Sequence, residues 1–360
     1  MRPSRRRILA GLPAVALAAC DRAPVQAQDI AIDPRPALRD VAGFPVGVCA
    51  STTELADPDF VALALGQFSQ VTPTWEMKME RILAAGGGMQ FEAADAIADF
   101  CRQHGLALHG TTLVWYSQDP PAFEQVAGDR AAFAKALRTY VLTVVDRYRG
   151  LARGWDALNE AVAEDGHGYR GGIWSRVLGE DYARMAFDLA HEADPDAVLF
   201  LNDYNLEILP AKLDSFQRLL ERLLNAGAPV GGVGTQSHLE ADLPPGEASR
   251  AIRALARFGL PIHVSELDIS TRVKGLSFAS PAQRLRSQAR VAGELAEAFM
   301  DLPPAQRYAF TVWGARDKDS WLRYPPNAGD GSDQPLLFDD QGAPKPAFGA
   351  VRQAFLRGGG

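Results

Sequence analysis

Eight short apolar segments recur along the chain, separated by longer stretches in which apolar residues fall at helical spacing. This alternation constrains the fold more than any other feature of the sequence. The expected strands are Pro45–Cys49, Phe68–Thr72, Ala107–Trp115, Gly154–Asn159, Val198–Asn202, Gly232–Gln236, Ile262–Glu266 and Tyr308–Trp313. Between them, helices are expected over Ala93–His104, Ala131–Tyr148, Asp181–Ala193, Ala211–Asn225, Gly246–Phe258 and Pro281–Met300. In the first of these, Ala93, Ile97, Phe100 and Cys101 share one face, and Gly105 is a natural stop. The 360 residues could divide into two or three domains, but 47 % hydrophobic content also suits one large core. Eight βα units without an internal repeat predict a single closed (β/α)8 barrel over residues 39–357.

Polar residues gather at the ends of those strands: Asn159-Glu160, Asn202-Asp203, Gln236-Ser237-His238, Glu266-Leu267-Asp268 and Trp313. The inside of such a barrel is filled by packed side chains, so polar groups belong at its open C-terminal rim. One acid after a strand is usually a cap or a solvated loop residue. Five such groups at five strand ends are hard to explain as caps alone, and they predict a site there.

The first residues must be set aside before the fold is read. Arg5, Arg6 and Arg7 precede an apolar run from Ile8 to Ala19, too short to span a bilayer as a folded helix. Paired arginines before such a run resemble a twin-arginine export signal. The run ends Leu17-Ala18-Ala19-Cys20, which looks like a bacterial lipoprotein box, and Asp21 after it favours inner-membrane retention in many such proteins. Residues 1–19 are therefore expected to be an export signal, Cys20 a lipid anchor, and 20–38 a tether holding a periplasmic protein at the inner membrane. The alternative is an ordinary cleaved signal beside a coincidental cysteine. Residues 1–19 hold four arginines and no acid, leaving 33 basic against 44 acidic residues and a net charge of −11. That balance, without a basic cluster, argues against nucleic acid as a partner. Export would permit a bridge between Cys49 and Cys101, though two buried free thiols are the blander expectation.

In order along the chain, these motifs resemble family-10 glycoside hydrolases, mostly endo-β-1,4-xylanases. Trp155-Asp156-Ala157-Leu158-Asn159-Glu160 matches the acid/base motif and Val264-Ser265-Glu266-Leu267-Asp268 the nucleophile motif. Asn202-Asp203-Tyr204-Asn205, Gly234-Thr235-Gln236-Ser237-His238, Trp313-Gly314, Asp317-Lys318-Asp319-Ser320-Trp321 and Lys345-Pro346-Ala347 match further blocks. The resemblance runs from about Phe44 to Val351. It implies a retaining, endo-acting β-1,4-glycosidase with Glu160 as acid/base and Glu266 as nucleophile, their carboxyls about 5–5.5 Å apart. It also implies that His238 and Asp268 orient the nucleophile, and that Asn159 and Gln236 hold the sugar 2-hydroxyl. Lys78, Trp115, Trp313 and Trp321 are expected to bind substrate, the tryptophans as platforms for apolar sugar faces. Trp155 and Trp174 are expected to pack in the core, and His104 and His263 to be structural. No cofactor is implied, no set of residues has metal-ligand spacing, and a monomer is expected.

Four positions depart from the family pattern. Where it carries Glu-Asn before Glu-Met-Lys-Trp, this chain has Thr74 and Trp75, and only Lys78 remains of that glycone-binding group. Two histidines of the third-strand motif are replaced by Thr111 and Tyr116. With the catalytic pair intact, altered specificity is expected: short or aryl β-glycosides, or a bacterial exopolysaccharide. The non-enzymatic alternative is a carbohydrate-binding protein on a retired barrel.

Overall fold

The computed structural model describes residues 32–83, 88–118, 120–327 and 330–358. The expected export signal, Cys20 and most of the tether lie outside the described residues. Ten parallel-paired strands form the sheet: β1 (Val46–Ala50), β2 (Gln70–Pro73), β3 (Ala107–Gly110), β4 (Val114–Trp115), β5 (Ala152–Asn159), β6 (Val198–Asp203), β7 (Gly232–Thr235), β8 (His238–Glu240), β9 (Ile262–Ser270) and β10 (Arg307–Val312). Eight of them pair in the order β10-β1-β2-β3-β5-β6-β7-β9, and β9 pairs back to β10, closing the (β/α)8 barrel. Closure leaves the eight-stranded ring itself no free edge.

Helices lie where helical spacing predicts them, and local chemistry fixes their ends. The Asp129 carboxylate accepts from Ala131 N and Ala132 N at the start of helix Arg130–Arg147. Ser280 and Gln283 form a reciprocal cap on helix Pro281–Met300. Helix Glu92–His104 stops at Gly105, whose φ of 63° an L side chain would resist.

Inside the barrel, His109, Phe200, His263 and Tyr308 pack edge to face, with Phe200 and Tyr308 tilted, across strands that are not all neighbours. His109 and His263 have ring centroids 4.5 Å apart, as do Phe200 and Tyr308. Gly154 leaves room for this layer, since a Cβ there would stand 2.6 Å from the Tyr308 hydroxyl. Cys49 and Cys101 are buried free thiols, and Trp155 and Trp174 are buried in the core.

Two strands differ from the expected ones. Ala107–Trp115 is broken into β3 and β4 because the chain turns at Thr111–Leu113: Leu113 N and the Thr112 hydroxyl both donate to Asp156 O, at 3.0 Å. The strand expected to end at Glu266 continues to Ser270, because β8 offers it a partner in the register His238↔Asp268. Glu266 and Asp268 therefore project from a paired strand and not from a loop.

Candidate active site

Backbone hydrogen bonds continue the barrel ladder into the polar rim. Glu160 N donates to Asn202 O (2.8 Å), Gln236 N to Asp203 O (3.0 Å), Glu266 N to Gln236 O (3.0 Å) and Trp313 N to Leu267 O (2.9 Å). The residues that follow β5, β7 and β10, and Glu266 within β9, are thus held by the sheet itself. Glu160 turns away from β5 in the left-handed region, with φ 53°, and Ser237 does the same at φ 57°. Such backbone is disfavoured for side-chain-bearing residues and concentrates at functional sites.

A cavity of about 370 Å³ opens among these residues. Glu160, Glu266, His238, Lys78, Trp115, Asn159, Gln236, Trp313, Trp321, Thr74, Trp75, Thr111 and Tyr116 all line it, together with Tyr204. Asp268 lies just behind the wall. Tyr204 is the lining residue that sequence reasoning passed over. Its place after Asn202-Asp203 at the end of β6 was the available signal.

Glu160 and Glu266 are linked by an unbroken relay of amides. Gln236 Nε2 donates to Glu160 Oε1 (2.9 Å) and to Asn159 Oδ1 (3.3 Å). Asn202 Nδ2 donates to the same Asn159 oxygen (3.0 Å) and to Glu266 Oε1 (3.3 Å). Ser265 Oγ donates to Asn202 Oδ1 at 2.8 Å, which fixes which end of that amide faces the carboxylate. Asn202 therefore supports both acids, a role its motif alone did not disclose.

The two carboxylates live in different surroundings. Burial raises the pKa of Glu160; the Gln236 hydrogen bond opposes this, and the charge of Asp203 adds to it. Glu266 has a cation beside it: His238 Nε2 is 3.5 Å from its Oε2, and His238 Nδ1 is 3.0 Å from Asp268 Oδ2. Burial opposes the charge on His238, yet Asp268 and Glu266 outweigh it and push its pKa up to about 10. Trp321 Nε1 donates to Asp268 at 2.7 Å, so this exposed ring is tied to the His238–Asp268 pair. On the other side, Arg170 donates to Glu160 O (3.1 Å) and lies 4.3 Å from the Tyr116 ring centroid.

One grouping was not legible in sequence spacing. The fold brings His109, Asp156 and His263 together from three strands, with possible ligand atoms all within 4.8 Å of one another. Most of those atoms are already engaged. His109 Nε2 is 3.1 Å from Asp156 Oδ1, His109 Nδ1 is 3.3 Å from the Tyr308 hydroxyl, and His263 Nε2 is 2.8 Å from the Thr311 hydroxyl. The group belongs to the buried interior layer and not to the cavity.

Comparison with known proteins places this geometry in context. Residues 37–354 match the family model described as Glycosyl hydrolase family 10. Endo-1,4-beta-xylanase A of Caldicellulosiruptor sp. (strain Rt8B.4) is 36 % identical over 323 residues, which are 85 % of this chain and 45 % of that protein. Endo-1,4-beta-xylanase B of Thermotoga neapolitana is 31 % identical over 320 residues, 88 % of this chain and 90 % of that one. The chain thus spans under half of the first relative and nearly all of the second. The crystal structure of native xylanase 10B from Thermotoga maritima superposes with a TM-score of 0.79 at 30 % identity, covering 89 % of this chain and 98 % of that one.

Proposed function

The chain belongs to glycosyl hydrolase family 10, and from that premise we propose that it cleaves β-1,4-linked glycan chains internally, with retention, using Glu160 as acid/base and Glu266 as nucleophile. The observation that carries this reading is the amide relay joining two buried carboxyls whose environments differ. Retention requires one protonated carboxyl and one ionised one, on opposite sides of the scissile bond. Burial favours the proton on Glu160, while Glu266 has the positively charged His238 beside it, with Nε2 3.5 Å from its Oε2.

In the first step Glu266 attacks the anomeric carbon as Glu160 protonates the departing oxygen, giving a glycosyl-enzyme and a shortened chain. That ester removes the charge of Glu266, so Glu160, now a carboxylate, can take a proton from water as it attacks. Asn159 and Gln236 are placed to hold the sugar 2-hydroxyl, whose bonds tighten in the oxocarbenium-like transition state. Trp115, Trp313 and Trp321 supply ring faces for the chain.

The names of the relatives point to a xylan-like backbone as substrate. The leader supports export to the periplasm and retention at the inner membrane through Cys20, and the chain is proposed to act there as a monomer. In the test, Glu266→Ala should abolish cleavage of substrates with good and poor leaving groups alike. Glu160→Ala should impair poor leaving groups more during glycosylation, because good ones depart unprotonated. A nuclear magnetic resonance time course of wild-type hydrolysis should show β-configured product first, and α product first eliminates the retaining assignment.

A further inference from the structure

Lys78 brings into the cleft a positive charge that no described residue meets with a hydrogen bond or an ion pair. It is only 8 % exposed. The nearest carboxylate in sequence, Glu76, is committed elsewhere: it accepts from Thr52 N at 2.8 Å and from Trp75 N at 3.1 Å. Thr74, the residue at the position where the family pattern carries glutamate, has no charge to offer.

What surrounds Lys78 is aromatic. Nζ lies 4.3 Å from the Trp75 ring centroid, 4.8 Å from that of Trp115 and 5.8 Å from that of Trp313. Indole faces attract a cation, but they neither neutralise it nor accept its N–H groups as an oxygen does. Burial accordingly lowers the Lys78 pKa, against the pull of Glu266 and Glu160. Those two acids have their own tasks, and Glu266 is balanced by His238. An ammonium without a hydrogen-bond or ion-pair partner at a desolvated, substrate-facing position selects for a ligand that brings its own negative charge.

We propose that the glycone end of the cleft accepts a β-linked hexuronic acid residue, its carboxylate received by Lys78 within the Trp75–Trp115–Trp313 cage. The proposal rests on the glycoside hydrolase reading and narrows its substrate class. The rings stack on the apolar faces of the sugar while the carboxylate takes the N–H donors that they leave unused. The acidic surface of the protein does not counter this, because repulsion is screened beyond about 8 Å at physiological ionic strength and the Lys78 contact is short.

The test uses one soluble β-1,4-linked polysaccharide containing hexuronic acid, and the same polymer after its carboxyls are reduced to primary alcohols. The wild-type chain should cut the acidic polymer with a kcat/KM about tenfold or more above that for the neutral one, the scale of one charge-assisted contact. Lys78→Arg should keep the preference and Lys78→Met should abolish it. Thr74→Glu, which hands Lys78 an internal carboxylate, should move the preference toward the neutral polymer and decides the matter if Lys78→Met does not fold. Equal rates on the two polymers, cleavage of neither, or an undiminished preference in a folded Lys78→Met overturns the inference. An aryl β-glycoside with a good leaving group separates the two claims. Its hydrolysis leaves the hydrolase reading standing even then, whereas its persistence alongside both polymers removes that reading as well.

Discussion

At Glu160 the chain does two disfavoured things at once: it buries a carboxyl and turns it out of a strand at positive φ. Both raise the energy of the free protein, and the burial helps make an acid that still holds its proton when the substrate arrives. Gln236 is the moderating influence, since its N–H stabilises the ionised form. The sign of its effect can be worked out. Glycosylation needs protonated Glu160, so kcat/KM falls as pH rises through that pKa. Removing a donor that favours the carboxylate moves the pKa up. Gln236→Ala should therefore shift the basic limb of the kcat/KM profile to higher pH, while lowering the maximum on the order of a hundredfold through loss of a substrate-facing donor. A profile that loses height with its basic limb unmoved shows that Gln236 does not tune Glu160. The His238 shift has the opposite standing. Its charge is favoured in the folded protein up to about pH 10, so its stabilising contribution is complete below its ordinary value near 6.5 and lost as pH climbs toward 10.

Strand ends make this arrangement repeatable, and the glycines within strands show how little slack they have. A Cβ on Gly234 in β7 would stand 2.2 Å from Asn202 Oδ1, the atom that fixes the amide holding Asn159 and Glu266. Gly234→Ala should lower kcat more than tenfold and cost about 1–3 kcal/mol of stability, because the amide must swing or β6 must move. Thermal melting and steady-state rates read the two effects separately, and normal kcat in a destabilised variant would falsify the coupling of Gly234 to the acids. Much of this scale was legible beforehand. Apolar runs ending in polar groups gave all eight barrel strands and six of the fourteen cavity-lining residues, and the family resemblance gave seven more. What escaped depends on contacts between strands. The break after Gly110 is set by Asp156 O on the neighbouring strand, and the extension of β9 by β8. The roles of Asn202 and the gathering of His109, Asp156 and His263 likewise need the ring to close before the residues can meet. Spacing in sequence carries none of that information.

At the scale of the whole molecule the two ends of the barrel have different work. Every strand runs toward the cleft, so the segment entering β1 lies at the opposite end. There, residues 33–38 are fastened to the body: Arg352 donates to Asp33 O and to Arg35 O (2.8 Å), Gln67 Nε2 to Pro34 O (3.2 Å), and Leu38 N to Gln67 Oε1 (3.2 Å). The described chain therefore begins at the end of the barrel remote from the catalytic acids. Acyl chains contribute about 0.8 kcal/mol per buried methylene, and stable anchoring takes more than one of them, so losing the acceptor cysteine removes the attachment outright. Cys20→Ser should move the protein from the membrane fraction to the soluble periplasmic fraction. Its kcat/KM on a soluble aryl glycoside should equal that of wild type, because nothing at the rim has changed. Wild-type protein found wholly in the soluble fraction removes the lipid anchor from this picture. A Cys20→Ser protein that turns soluble but loses activity shows instead that the segment before Ile32 supports the barrel as well as tethering it.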